Sequence, residues 1–202
     1  TKAEGNVQLD LAYDDLDRQI SSTMTTDNKS LVAGFSYNPT GTLKSFTDDD
    51  GAVSAFLYDK LGRVTKHTRN DGTVSTWKYG PLGLTFAQDP SGRSTEYSYD
   101  AFGRPKTRKD AKGGLSAYVY NPAGNLLQFT DSNNNTTKWA YDVRGRVTSK
   151  TYANDSTYQY AYSSSDLLLS RKDARNRTTS YTYNANGQII GINYPQSPGI
   201  SY

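Results

Sequence analysis

Hydrophobic and polar positions alternate along much of this chain. In Ser75-Thr76-Trp77-Lys78-Tyr79, residues 75, 77 and 79 alternate with Thr76 and Lys78. The same parity recurs in Thr137, Trp139 and Tyr141, and again in Thr179, Tyr181 and Tyr183. A period of two predicts β-strands with aromatic side chains on one face and mostly small or polar residues on the other. The alternation is itself periodic. Tyr13, Tyr37, Tyr58, Tyr79, Tyr99, Tyr120, Tyr141, Tyr162 and Tyr183 are separated by 24, 21, 21, 20, 21, 21, 21 and 21 residues. Two positions before each of these anchors stands another large apolar residue, aromatic in eight of the nine cases. Repetition at a fixed period is the signature of a repeat architecture.

Turns punctuate each unit. The residue after the anchor is usually Asp or Asn, as at Asp59, Asp100, Asn121 and Asp142, and three positions later comes Gly in seven of nine units. Asp17 and Asp166 take the Gly place in the other two; Asp also enters the left-handed region more readily than most residues. Pro occupies the second turn position three times (Pro39, Pro81, Pro122), and Asp or Asn at i, Pro at i+1 and Gly at i+3 predict type I turns. A second turn lies half a period on, as in Asp48–Gly51, Asp89–Gly92, Asp110–Gly113, Asp131–Asn134 and Asp173–Asn176; Asn70-Asp71-Gly72 carries a hairpin signal of its own. Each unit therefore holds two turns and two runs of about six residues. The run after the Gly is less regular, with an apolar residue early (Leu43, Val64, Leu126, Val147, Leu168, Ile189). No sustained 3.6-residue pattern is present, and helix has room only at residues 1–10 and 195–202, which are least patterned.

Nine units of two strands predict roughly 18 strands over residues 9–194, within a single repeat array spanning 1–202. Strand twist of about 20° per neighbour predicts that such a ribbon coils. A 21-residue period also fits a parallel β-solenoid, although two tight turns per unit favour antiparallel hairpins. The aromatic face needs cover, from neighbouring repeats, further coils, a cap or a cargo. Tyr, at 17 against 6 Phe and 2 Trp, suits rings that are packed while their hydroxyls meet water or a polar partner.

Composition removes several function classes. With no Cys among 202 residues, disulfides, thiolate metal sites and a Cys nucleophile are excluded. One His, His67, leaves little for a metal cluster or a His-based triad, and nothing beside it supplies a nucleophile or a carboxylate, so it reads as a surface strand residue. The net charge of +3 is spread along the chain. Arg104, Lys106, Arg108 and Lys109 come closest to a basic patch, but strand alternation divides them between two faces, and nucleic acid is not an expected partner. No apolar run approaches the roughly 18 residues of a spanning helix. Asp48-Asp49-Asp50-Gly51 lacks the alternating ligands and distant Glu of a calcium loop and reads as a solvated turn. The stretches 133–137 and 154–156 contain glycosylation sequons, relevant only in a eukaryotic secretory host. No catalytic residue, cofactor or metal is expected. The remaining candidate is the aromatic face, where Trp77 and Trp139, flanked by Asn, Asp and Arg, could stack a ligand such as a sugar. The chain begins at Thr1 without a signal-peptide pattern, which suggests a piece of a longer protein.

The unit aromatic-x-Tyr-Asp-x-x-Gly-Arg-apolar resembles the YD repeat of the RHS-repeat proteins. The clearest copies are Phe56-Leu57-Tyr58-Asp59-Lys60-Leu61-Gly62-Arg63-Val64 and Trp139-Ala140-Tyr141-Asp142-Val143-Arg144-Gly145-Arg146-Val147, with Tyr97-Ser98-Tyr99-Asp100-Ala101-Phe102-Gly103-Arg104 a third. The motif also falls on Tyr37 and Gly41, Tyr79 and Gly83, Tyr120 and Gly124, and Tyr183 and Gly187. That family includes bacterial polymorphic toxins, the cocoon components of Tc toxins, and teneurins. The resemblance implies an all-β fold: a continuous antiparallel hairpin ribbon that curls into a hollow shell. It implies a structural role, the shell enclosing or presenting a C-terminal, often toxic, domain. The implied partners are the rest of the shell and that domain, and the implied setting is secreted or cell-surface, in a bacterium. The alternative is a cell-surface module recognising carbohydrate or a protein through its aromatic ladder. The family's self-cleavage motif, Asp-Pro-x-Gly-Leu, is approached by Asp89-Pro90-Ser91-Gly92, but Arg93 replaces the Leu and no Arg/Gly-rich run precedes it, so a plain turn is expected. Arg follows the turn Gly in only some repeats; Gly83-Leu84 and Gly124-Asn125 break the pattern, which argues against a functional role for the Arg.

Overall fold

A computed structural model describes residues 7–26 and 29–195. Among them are eighteen β-strands in one sheet, every registered pair antiparallel, and no helix. The hairpin ribbon is thus correct and the parallel solenoid is not. Helix at residues 8–10 is also excluded, because they lie in the first strand; residues 1–6 and 196–202 lie outside the described residues.

The chain divides into two compact units, Thr1–Glu96 and Tyr97–Tyr202. The first carries β1 (Gln8–Tyr13), β2 (Gln19–Thr26), β3 (Lys29–Tyr37), β4 (Leu43–Thr47), β5 (Val53–Tyr58), β6 (Val64–Thr68), β7 (Val74–Gly80) and β8 (Gly83–Gln88), and β9 (Ser94–Tyr99) begins in it. The second carries β10 (Pro105–Lys109), β11 (Leu115–Tyr120), β12 (Leu126–Thr130), β13 (Thr136–Tyr141), β14 (Val147–Thr151), β15 (Thr157–Tyr162), β16 (Leu168–Lys172), β17 (Thr178–Tyr183) and β18 (Ile189–Asn193). Each anchor Tyr sits at or next to the end of an odd-numbered strand, and an even-numbered strand follows its turn. The 24-residue first period is absorbed by β2 and β3, which are 8 and 9 residues long.

The turns share one geometry. In the turn after Tyr58, Gly62 N–H donates to the Asp59 carbonyl (3.1 Å), and Asp59 N–H donates to the Arg63 carbonyl (2.9 Å). This is a three-residue hairpin loop, a type I turn closed by a residue in the left-handed region. Gly62 holds that place at φ 75°, while Asp17 and Asp166 hold it at 56° and 64°. The Asn70-Asp71-Gly72 segment is no exception: Gly72 N–H bonds back to the Arg69 carbonyl at 2.9 Å, so it is a further copy of the same loop rather than a two-residue hairpin. The true exception is 80–83, where Gly80 pairs directly with Gly83 across Pro81 and Leu82. One loop residue is missing there, which accounts for the 20-residue period from Tyr79 to Tyr99.

A second irregularity explains the weak pattern after each Gly. Leu57 opposes Lys66 and Tyr58 opposes Val64, so Thr65 has no opposite number. The same shift recurs beside Tyr37, Tyr141 and Tyr183. This β-bulge breaks the period of two. Residues three apart then share the aromatic face: Leu43 with Phe46, Leu126 with Phe129, and Ile189 with Ile192.

No large apolar side chain is fully buried among the described residues; the buried positions are Ser75 and Thr179. Rings are covered by cross-strand partners. Phe35 meets Phe46 at 5.4 Å, Tyr118 meets Phe129 at 5.0 Å, and Phe56 stacks on His67 at 4.4 Å and 7°. His67 thus belongs to the ring face of β6. Each such pair contributes about 0.2–1 kcal/mol, so stability is distributed along the ladder rather than concentrated in a core. The opposite face is mostly small and polar, with Ser36–Ser45 and Thr151–Thr157 hydroxyl contacts, yet it also exposes Leu57 and Val119.

Candidate functional site

The most repeated polar residues build a clamp. Asp59 begins its turn with its side chain folded over the loop. Its Oδ1 accepts from the Leu61 and Arg63 amides (2.9 and 3.0 Å), and its Oδ2 accepts from Arg63 Nε at 2.7 Å. Arg63 follows the left-handed Gly, which aims its guanidinium back at that carboxylate; Nη2 also reaches Oδ2, at 2.7 Å, so two guanidinium N–H groups converge on one charged oxygen while Oδ1 takes the amides. Asp14–Arg18, Asp100–Arg104 and Asp142–Arg146 repeat the arrangement. The Arg63 side-chain bond, against the opposing effect of burial and with help from the two amides, holds the Asp59 carboxyl below the usual carboxylate range. At Asp100 burial is the largest single influence and pushes upward, but the Arg104 amide, its guanidinium and the Phe102 amide together outweigh it.

The same guanidinium reaches the next repeat. Arg18 lies 4.7 Å from the Tyr37 ring centre, Arg63 4.5 Å from Tyr79, Arg104 4.7 Å from Tyr120 and Arg146 4.7 Å from Tyr162. Arg104 and Arg146 also donate through Nη1 to the carbonyls of Asn121 and Ser163, at 3.0 and 2.9 Å. Arg146 further pairs with Asp166 at 2.7 Å. Burial pushes the Tyr120 and Tyr162 phenols up, so these rings stay neutral beneath the cation. Where the Arg is absent, the anchor hydroxyl makes the joint. Tyr58 donates to the Leu43 carbonyl, Tyr141 to Leu126 and Tyr183 to Leu168, all at 2.8 Å. Tyr37, which lies under Arg18, also donates to Gln19 at 2.8 Å. A cation over a ring contributes about 0.5–1 kcal/mol at an exposed site, and a neutral hydrogen bond about 1 kcal/mol.

The repeat Arg therefore links one repeat to the next, a role that the interrupted sequence pattern did not suggest. Its signal is a spacing of 16 residues from Arg63 to Tyr79, Arg104 to Tyr120 and Arg146 to Tyr162. The second-turn arginines differ. Arg93 pairs with Asp89 at 2.7 Å but no ring lies under it, and its side chain is 74% exposed against 24% for Arg104. The Asp89-Pro90-Ser91-Gly92 segment forms an ordinary copy of the loop, with the Gly92 amide bonded to the Asp89 carbonyl at 3.0 Å. The Arg93 side-chain bond, against the opposing effect of burial, holds the Asp89 carboxyl below the usual carboxylate range.

Trp77 and Trp139 lie half-buried on the ring face of β7 and β13. Trp77 opposes Ala87. Trp139 opposes Lys150, whose ammonium lies 5.6 Å from the indole and 4.5 Å from the Tyr152 ring. Tyr152 meets Tyr158 edge-on at 5.9 Å. Beside them a hollow of about 660 Å³ is lined by Asp131, Asn135, Tyr152, Asn154 and Tyr158. This grouping draws on two successive second turns, and the repeat pattern alone did not reveal it, because Tyr152 stands where most other second turns begin with Asp. Among the described residues no three His, Asp or Glu side chains converge as metal ligands, and no helix is long and apolar enough to cross a membrane.

Residues 37–74, 81–115, 120–160 and 162–197 match the family model described as RHS Repeat, well over half the chain. No curated protein matches. Among solved structures, that of TcdB2-TccC3 without its hypervariable C-terminal region is similar over 86% of this chain, with a TM-score of 0.58 and 16% identity. That of TcdB2-TccC3-TEV is similar over 87%, with a TM-score of 0.57 and 16% identity. This chain spans 12% of the length of each of those chains. At that identity the likeness is one of fold.

Proposed function

This chain belongs to the RHS-repeat family, and from that premise we propose that it is a stretch of shell wall, a single repeat array that encloses or presents another domain without bond chemistry of its own. The observation that carries the proposal is the clamp. The most repeated polar side chains, those of Asp59, Arg63, Asp142 and Arg146 among them, are spent on their own turn and on the neighbouring repeat. Residues so engaged serve the continuity of a wall. The partners in this reading are the remainder of the shell and an enclosed C-terminal domain, in a secreted or cell-surface bacterial protein. Limited proteolysis of the parent polypeptide, followed by mass spectrometry, tests it. The C-terminal domain is expected to survive within the parent and to be digested when made alone. Equal digestion in both forms would end the container proposal.

The hollow lined by Tyr152 and Tyr158 favours a second reading, a carbohydrate-binding surface; Trp139 does not line it but is joined to its wall by the Lys150 ammonium, which lies over both the indole and the Tyr152 ring. Tyr152 and Tyr158 offer ring faces, while Asn135, Asn154 and Asp131 offer hydrogen-bonding groups within the same hollow. If a glycan docks there, titration with neutral oligosaccharides shifts the Trp emission of the wild type, and a Trp139→Phe variant, which retains Trp77, loses that shift. Emission that stays constant across an oligosaccharide panel removes this reading.

A further inference from the structure

Tyr152 and Tyr158 fall outside the aromatic positions of the repeat, and they do so side by side. Tyr152 opens a second turn where Asp48, Asp131 and Asp173 open theirs, and it closes the usual loop through its amide to Ser156 and its carbonyl from Asp155. Tyr158 lies four residues before its anchor, Tyr162, where Ser75, Ser116, Thr137 and Thr179 stand in other repeats. The two departures meet each other. Tyr158 opposes Lys150 across the β14–β15 pair, and Tyr152 comes two residues after Lys150, so both phenols fall on the ring face. Their ring centres are 5.9 Å apart, with the planes at 77°. Anchor phenols such as Tyr141 and Tyr183 are tied to backbone carbonyls. Among the described residues the Tyr152 and Tyr158 hydroxyls have no hydrogen-bond partner.

We propose that this pair is a modification site, at which a haem peroxidase with hydrogen peroxide couples Tyr152 to Tyr158 as dityrosine. Each phenol gives up one electron and one proton, leaving a phenoxyl radical shared between the oxygen and the ring carbons beside it. The two radicals pair to form one carbon–carbon bond between those ortho carbons. Each joined carbon then releases its proton as the oxygen of the same ring takes one up, which restores both phenols. One hydrogen peroxide accepts the two electrons and two protons and leaves as two waters. The structure supplies what the reaction needs. Tyr152 is 39% exposed, and both rings line the same open hollow, so the oxidant has access. The edge-to-face arrangement presents the edge of one ring to the other, and exposed side chains reorient within nanoseconds to close the remaining distance. The Lys150 ammonium, 4.5 Å from the Tyr152 ring centre, keeps that ring on the shared face. The chain has no Cys, so no thiol within it reduces the radicals. The new bond closes the loop from Tyr152 to Tyr158 and ties β14 to β15 covalently, a restraint that a chain without cysteine cannot obtain from a disulfide. It concerns the wall itself, whatever the wall encloses or binds.

The test is to treat the chain, at high dilution, with a haem peroxidase and hydrogen peroxide. Dityrosine fluorescence is expected in the monomer fraction, together with a mass lower by two hydrogen atoms. Asp155 lies between the two tyrosines. A protease that cleaves before Asp therefore separates them in untreated chain, and in treated chain it is expected to leave the two peptides joined. Tyr152→Phe and Tyr158→Phe keep both rings but remove one phenoxyl, and each is expected to lose most of the monomer's dityrosine emission. Tyr194→Phe removes a phenol that is 68% exposed and is expected to retain that emission. Emission from the Tyr152→Phe monomer as strong as that of the wild type overturns the proposal. So does dityrosine confined to dimers, or a treated monomer whose peptides on either side of Asp155 come apart.

Discussion

Gly62→Val is expected to unfold its own hairpin locally while Gly62→Asn leaves it nearly intact. Gly62 sits at φ 75°, and a Cβ built there meets nothing within 4 Å. The cost of substitution is therefore backbone strain and not collision. An ordinary L-residue loses about 1–2 kcal/mol in this region, and a β-branched one is a sharper outlier. Asn and Asp already hold the same conformation at the equivalent place in Asp17, Asn134, Asp155, Asp166 and Asn176, with φ between 56° and 64°. Because each repeat is held chiefly by its neighbours, the loss is confined to the β5–β6 hairpin and the repeats it touches. Hydrogen exchange read residue by residue is the suitable measurement. Gly62→Val should strip protection from the Asp59 and Gly62 amides by about tenfold or more, as 1.4 kcal/mol corresponds to a factor of ten. Equal effects of Val and Asn would show that the turn does not depend on left-handed geometry.

Gly62 and Asp17 hold the same place in their turns, and that equivalence is visible in the sequence alone. The odd-numbered strands were legible because their period of two runs unbroken into the anchor Tyr, and turns were legible because Asp, Pro and Gly occupy positions with distinct dihedral demands. The even-numbered strands were half-legible. The bulge at Thr65 shifts the face, so Val64 and His67 share a side although three residues separate them. A strict alternation test misses that spacing. The two-residue connection at Pro81–Leu82 was visible only as a 20 among the 21s, and its geometry depends on which residue is absent.

The clamp was less legible than the fold, for a physical reason. Its two functions are separable. Asp59 and Arg63 lie four apart and could be read as a local pair, but the ring under Arg63 belongs to the following repeat and comes into place only once β5 to β7 are registered. Arg also alternates with an uncharged solution to the same joint, the Tyr58 or Tyr141 hydroxyl on a backbone carbonyl. An interrupted Arg pattern therefore looks dispensable in sequence while the joint itself is continuous. The Tyr152–Tyr158 hollow was hidden similarly, since it depends on side chains from two turns 21 residues apart.

The clamp makes the second large effect an acid one. Asp14, Asp59, Asp89, Asp142 and Asp173 are all held below the ordinary carboxylate range, foremost by the side chain of the Arg four residues on. In the unfolded chain these groups return to about 3.9. A carboxyl whose folded value lies lower binds fewer protons in the folded state, so stability rises with pH through this interval. The contribution is complete above the unfolded value and is lost as pH falls through the lower folded values, so the fall is placed below about pH 4. Because several clamps titrate together, the urea midpoint should drop steeply from pH 5 to pH 2 and hardly change from pH 5 to pH 7. Three repeats supply an internal control. Asn38, Asn121 and Asn184 stand where Asp stands elsewhere, and Asn121 and Asn184 cap their loops through Oδ1 without charge, at 2.9 and 3.0 Å to the amide four residues on. A combined Asp59→Asn, Asp100→Asn, Asp142→Asn variant keeps the amide bonds and removes three titrating groups. It should be less stable than the wild type at pH 7 and show a shallower acid fall, with the two curves converging toward pH 2. Parallel curves would mean that the acid sensitivity comes from elsewhere, and that the Asp–Arg pairs hold the turns by shape rather than by charge.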